Sequence, residues 1–141
     1  MLKMGCCGDV CEICPRYTAT QSGEEKQLKE VAKLWKIVGW WGDKESPKEL
    51  TCHGCESLEI CELDIRECVL EKNIKNCGQC PEYPCARLLA IFENNEKEAG
   101  ICKSQFSAKD YQIFQKAFFS KKDRLDKIQK EKNNSNKRNI P

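Results

Sequence analysis

The spacing of its cysteines constrains this chain more than any other feature. Seven fall within 34 residues, at positions 52, 55, 61, 68, 77, 80 and 85. Four of them make two tight pairs, Cys52-His-Gly-Cys55 and Cys77-Gly-Gln-Cys80. A separate cluster, Cys7-x3-Cys11-x2-Cys14, lies almost 40 residues upstream. Twelve cysteines in 141 residues is about 8.5%, near the level of a cysteine-built scaffold. Such a chain is held by disulfides or by metal. Disulfide frameworks belong to secreted proteins, which carry a signal peptide. Here Met1-Leu2-Lys3-Met4-Gly5-Cys6-Cys7 leads into no apolar stretch of signal length. No run approaches the ~18 apolar residues of a membrane span. A start at Met4 would put Asp9 where myristoylation needs Ser or Thr. The expected compartment is therefore a reducing cytoplasm, where paired CxxC turns bind metal.

Zinc takes four thiolates at ~2.3 Å in a tetrahedron. Two converging CxxC turns, as in zinc knuckles, supply that geometry. The expected first site pairs Cys52 and Cys55 with Cys77 and Cys80. Gly54 and Gly78 lie inside those turns and let backbone N–H groups approach the sulfurs. Cys7, Cys11 and Cys14 provide three ligands of a second site, with Cys85 or Cys68 as the fourth. Were the stretch from Cys61 to Cys68 one helix, its two end sulfurs would stand about 10 Å apart and could not share an ion. Cys61 is thus only a possible ligand, and Cys6 and Cys102 read as spare thiols. Each structural zinc can contribute on the order of 10 kcal/mol to folding, against ~5–15 kcal/mol for a whole domain. Two ions would offset a thin core. The alternative cofactor is an iron–sulfur cluster serving electron transfer or redox sensing. Cys7-x3-Cys11-x2-Cys14 has the spacing that radical S-adenosylmethionine enzymes use, and four thiolates suit either group. The chain is too short for the barrel of those enzymes.

The remaining elements read as helices. Ser22-x-x-Glu25 has the form of a capping box, and Leu28, Val31, Leu34, Trp35 and Val38 recur at spacings of three and four. This predicts a helix over 22–38, with Gly39 after its end. Trp40 and Trp41 read as core filling beside a cysteine site. Residues 42–51 form a polar connector. Further helices are predicted over about 65–72, ending near Asn73, and over 84–95, with Pro84 first and Cys85 in the opening turn. A break follows around Gly100, and Ser107-x-x-Asp110 opens a last helix over 107–130. The predicted fold is small and mainly α (α+β at most), organised by metal. It comprises one domain over 1–131 and a disordered basic tail over 132–141.

Charged residues make up 33% and nearly cancel to +2, so neither nucleic acid nor a membrane surface is indicated. Residues 121–138 carry eight Lys and Arg against three Asp and Glu. That end could touch an acidic protein partner; a solvated, fraying terminus is the simpler reading. His53 is the single histidine. No P-loop, HExxH, GxSxG or GxGxxG is present, and no βαβ pattern surrounds the CxxC pairs as in a thiol–disulfide enzyme. The reading leans against an enzyme and towards a binding or scaffold module.

The segments CGDVCEICPRYTAT, CHGC and IRECVLEKNIKNCGQCPEYPCARL together resemble an uncharacterised cysteine-rich prokaryotic family, the domain of unknown function 3795. The resemblance runs from about Cys7 to Leu89. It implies that Cys7, Cys11, Cys14, Cys52, Cys55, Cys68, Cys77, Cys80 and Cys85 occupy the family's cysteine positions, and that the chain binds metal, by implication zinc. The family pattern has a CxxC just before the IR-x-C motif. Here that pair reads Cys61 and Asp64, a departure that sets Cys61 apart. The resemblance brings no activity with it.

Overall fold

The apolar stripe of the helix Glu25–Val38 organises the larger of two cores. Leu28, Val31, Ala32, Trp35 and Val38 are all buried on one face, as the three-and-four spacing requires. The computed structural model describes residues 4–54 and 65–138, and there the chain is mainly helical. In order come α1 (Pro15–Ser22), α2 (Glu25–Val38), α3 (Arg66–Glu71), α4 (Ala86–Gln105), α5 (Ala108–Phe114) and α6 (Lys121–Arg138). Among the described residues there is no strand beyond an isolated antiparallel bridge between Met4 and Val10.

Aromatic rings fill the first core. The Trp35 ring lies 5.3 Å from Trp40, 5.4 Å from Phe114 and 5.8 Å from Phe118, each edge to face. That is the arrangement ring quadrupoles favour. Trp40 and Trp41 both pack on this cluster, so the two tryptophans fill core as expected. Cys102, read as a spare thiol, is fully buried in the same cluster and fills core there. The second core gathers Ile65, Val69, Leu88, Ile91 and Phe92 with Cys7, Cys77 and Leu125. Helix α4 contributes to both, through Leu88, Ile91 and Phe92 at one end and Cys102 at the other.

Several local expectations change. Ser22 does not open α2. Its hydroxyl donates back to the Ala19 carbonyl at 2.7 Å, and it closes α1, with Gly23 left-handed at φ 72°. Pro15 begins α1, since its missing N–H costs nothing at a first helical position. The capping box lies elsewhere, in the connector thought to be merely polar. Ser46 and Glu49 cap a 3-10 turn, Pro47–Leu50, that carries the fully buried Leu50. The helix predicted from Pro84 starts at Ala86, with Cys85 as its N-cap. It runs through Gly100 to Gln105, so the expected break is absent. Ser107 caps α5 by accepting the Asp110 N–H at 3.1 Å, as predicted. Residues 132–138, expected to begin a disordered tail, continue α6.

Between α5 and α6, Gln115–Phe119 forms a π turn. Such a turn frees carbonyls from the helical ladder. Arg124 takes two of them, Lys116 O at 2.7 Å and Ala117 O at 3.3 Å, and also Gly8 O at 2.8 Å. The Val10 N–H donates to Ala117 O at 3.0 Å. The N-terminal strap is thereby tied to the start of α6.

Candidate metal centre

Four cysteines from three places line one small cavity. Cys68 comes from α3, Cys77 and Cys80 from the 3-10 turn Cys77–Gln79 and its cap, and Cys85 from the N-cap of α4. The cavity has a volume of about 30 Å³ and is walled by Ile65, Val69 and Leu88. Burial pushes the Cys77 thiol up to about 12, and the charges of Cys85, Cys68, Cys80 and Cys6 add to the shift. Negative charge on its neighbours makes the Cys77 thiolate costly unless a cation joins the group. One cation already borders the group. Lys72 Nζ donates to Cys80 Sγ at 3.3 Å and to Glu82 Oε2 at 2.7 Å. The Lys72 pKa is raised, first by Glu82 and then by Cys80.

A second group forms where α1 begins. Cys11 opens the 3-10 turn Cys11–Ile13, and the Cys14 N–H closes it on Cys11 O at 3.1 Å. Burial raises the Cys14 thiol to about 12; the Tyr17 and Arg16 backbone N–H groups pull it down, and the charges of Asp9 and Cys52 push it further up. Cys52 is brought there by the backbone. Its N–H donates to Thr20 Oγ1 at 2.9 Å, while Arg16 Nε holds Leu50 O at 2.5 Å. Gly54, at φ 110°, directs its N–H to Cys52 Sγ at 3.4 Å, the glycine role expected for this turn. His53 is exposed. Cys55 and Cys61 lie outside the described residues.

The grouping therefore differs from the expected one. Cys77 and Cys80 associate with Cys68 and Cys85 instead of with Cys52, and Cys52 associates with Cys14. Cys7 packs with Cys77 and Leu125, in the other cluster from Cys14. The reason is the reversal at Gly8, left-handed at φ 97°, where Gly5 N–H meets Asp9 O at 2.7 Å. It separates Cys7 from the turn at Cys11. Cys6 is not remote either, because Cys77 N–H donates to Cys6 O at 3.0 Å. Among the described residues, no three His, Cys, Asp or Glu side chains already have the close spacing of an ion site.

The family described as a protein of unknown function, DUF3795, matches residues 3–90. The chain belongs to this family. No curated protein and no solved structure matches it. The DUF3795 match covers every cysteine of both groups and stops inside α4. The π turn and α6 lie beyond it. Among the described residues no helix is long and apolar enough to cross a membrane.

Spacing alone gave no sign of several residues around the sites. Lys121 is buried, at 4% exposure, and its Nζ pairs with Asp9 Oδ1 at 2.7 Å. Glu98 accepts from Trp40 Nε1 and, at 3.1 Å, from Asn95 Nδ2. Nothing in a KKDR sequence marks its first lysine as the buried one.

Proposed function

We propose that this protein is a metal-binding scaffold module of the reducing cytoplasm, with one ion at Cys68, Cys77, Cys80 and Cys85. A second ion is assigned to Cys11, Cys14 and Cys52, together with Cys55 of the same CHGC motif. The observation that carries the reading is the single cavity lined by four thiols. Its ~30 Å³ suits one monatomic ion better than an eight-atom iron–sulfur cubane, since one water-sized sphere needs about 10–15 Å³. The donor set is all sulfur, which favours zinc among common divalent ions.

Zinc, when bound, draws the thiolates together and supplies folding free energy. The chain's own residues prepare for it. Desolvation by Ile65, Val69 and Leu88 raises the cost of unpaired thiolates, and Lys72 offsets one negative charge at Cys80. Four thiolates around one ion leave no open coordination position, so the role is structural and the module serves binding or scaffolding.

The test is metal analysis of native protein purified without oxygen. Two zinc ions per chain and no visible absorption are expected. Iron with a brown band near ~400 nm would overturn the zinc assignment; no metal at all would overturn the whole reading.

A further inference from the structure

The backbone of the four-thiol turn is held from outside by α6. Gln129, with its amide nitrogen towards the turn, donates to Gly78 O at 2.5 Å and Cys80 O at 3.3 Å. Lys132 Nζ donates to Gln79 O at 2.5 Å. Three successive carbonyls of the turn, 78 to 80, are thus taken by two side chains of one helix. Contact is close enough that a Cβ on Gly78 would lie 2.8 Å from Ile128. One turn earlier, Asp126 accepts from Tyr83 Oη at 2.5 Å and from Lys122. Leu125 sits in the core beside Cys77.

α6 itself is very polar, and Leu125 and Ile128 are its only large apolar residues. Its docking therefore depends on the shape of the turn it grips. The turn's shape in turn depends on where Cys77 and Cys80 direct their sulfurs. Residues that fix ligand-bearing backbone commonly change metal affinity 10–100-fold when removed.

We infer that α6 completes the metal site: Gln129 and Lys132 are positioning residues for Cys77 and Cys80, so ion binding and α6 docking are coupled. The inference rests on the metal reading above and concerns a segment outside the family match. Loss of the ion loosens α6, and loss of the α6 contacts loosens the ion.

The experiment is zinc competition with a graded chelator on the full chain, alongside hydrogen exchange. In a Gln129→Leu/Lys132→Met variant, one of the two ions should be released about 10–100-fold more readily. The other should keep its wild-type affinity, and Lys132→Arg alone should stay near wild type. Removing from wild-type protein the ion that the double variant releases more readily should speed exchange in α6 about tenfold or more, with α2 unchanged. Two ions held at wild-type affinity in the double variant would overturn the coupling. So would α6 exchange that ignores the ion, or that rises only together with α2. If the double variant does not fold, the wild-type exchange result decides. A wild-type chain that binds no zinc defeats the metal reading itself, and the coupling with it.

Discussion

Adding one methyl group at Gly78 should loosen this fold, whereas the same change at Gly100 should tighten it. An ideal Cβ at Gly78 would meet Ile128 Cβ and Cγ2 at 2.8 Å and Asn76 Oδ1 at 2.9 Å. Ile128 Cβ is attached directly to the α6 backbone, so rotamer change cannot relieve that contact. Either α6 or the turn must move. Overpacking of this kind costs about 1–3 kcal/mol. At about 4 °C per kcal/mol for a chain this long, Gly78→Ala should lower Tm by roughly 4–12 °C. Gly100 is exposed within α4, and beyond its chain neighbours and the helix's own backbone nothing lies within 4 Å of such a Cβ. There Ala gains up to about 1 kcal/mol of helix propensity, so Gly100→Ala should raise Tm by about 4 °C. Both are read by circular dichroism at fixed zinc concentration, because bound ligand shifts Tm. A Gly78→Ala protein at least as stable as wild type would refute the close seating of α6 on the turn.

Three further outcomes follow from buried groups. Asp9→Asn strands the Lys121 ammonium, 4% exposed, and should cost about 3–5 kcal/mol in urea unfolding. Lys121→Met should cost less, since Asp9 at 25% exposure can turn to water; the reverse order would contradict the pairing. Burial raises the pKa of Glu98 above its usual 4.5. Its contribution to stability is therefore full below that value and falls as pH rises through the folded one. Glu98→Gln should flatten this fall between acid and neutral pH, and an unchanged slope would refute it. Cys102→Ser puts a hydroxyl into a fully buried site and should cost about 1–3 kcal/mol, with zinc content unchanged.

What could be read from residues alone depended on how local the cause was. The α2 stripe, the Gly39 stop and the Ser107 cap are set by neighbours within one or two turns, and all appear as expected. Asn73 likewise takes the left-handed conformation that ends α3, at φ 55°. Ser22 misled because its hydroxyl has two local options, and the helix before it won. Gly100 misled because one glycine costs only about 1 kcal/mol, which the packing of Phe92 and Cys102 on either side outweighs. The thiol grouping was not legible. CxxC spacing says which cysteines share a turn, and nothing about which turns meet. That was decided by long-range contacts, Thr20 with Cys52 and α6 with the turn at Cys77. The paired carbonyl contacts of Gln129 and Lys132 were hidden for the same reason.

The thiol grouping is also the claim most open to direct measurement. Native mass spectrometry on paired Cys→Ser variants counts the ions that each pair shares. Cys68→Ser with Cys77→Ser should lose one zinc, because both belong to one group. Cys52→Ser with Cys77→Ser should lose two. Loss of a single ion from the Cys52/Cys77 pair, with two lost from the Cys68/Cys77 pair, would contradict the account and restore the pairing of the two CxxC motifs.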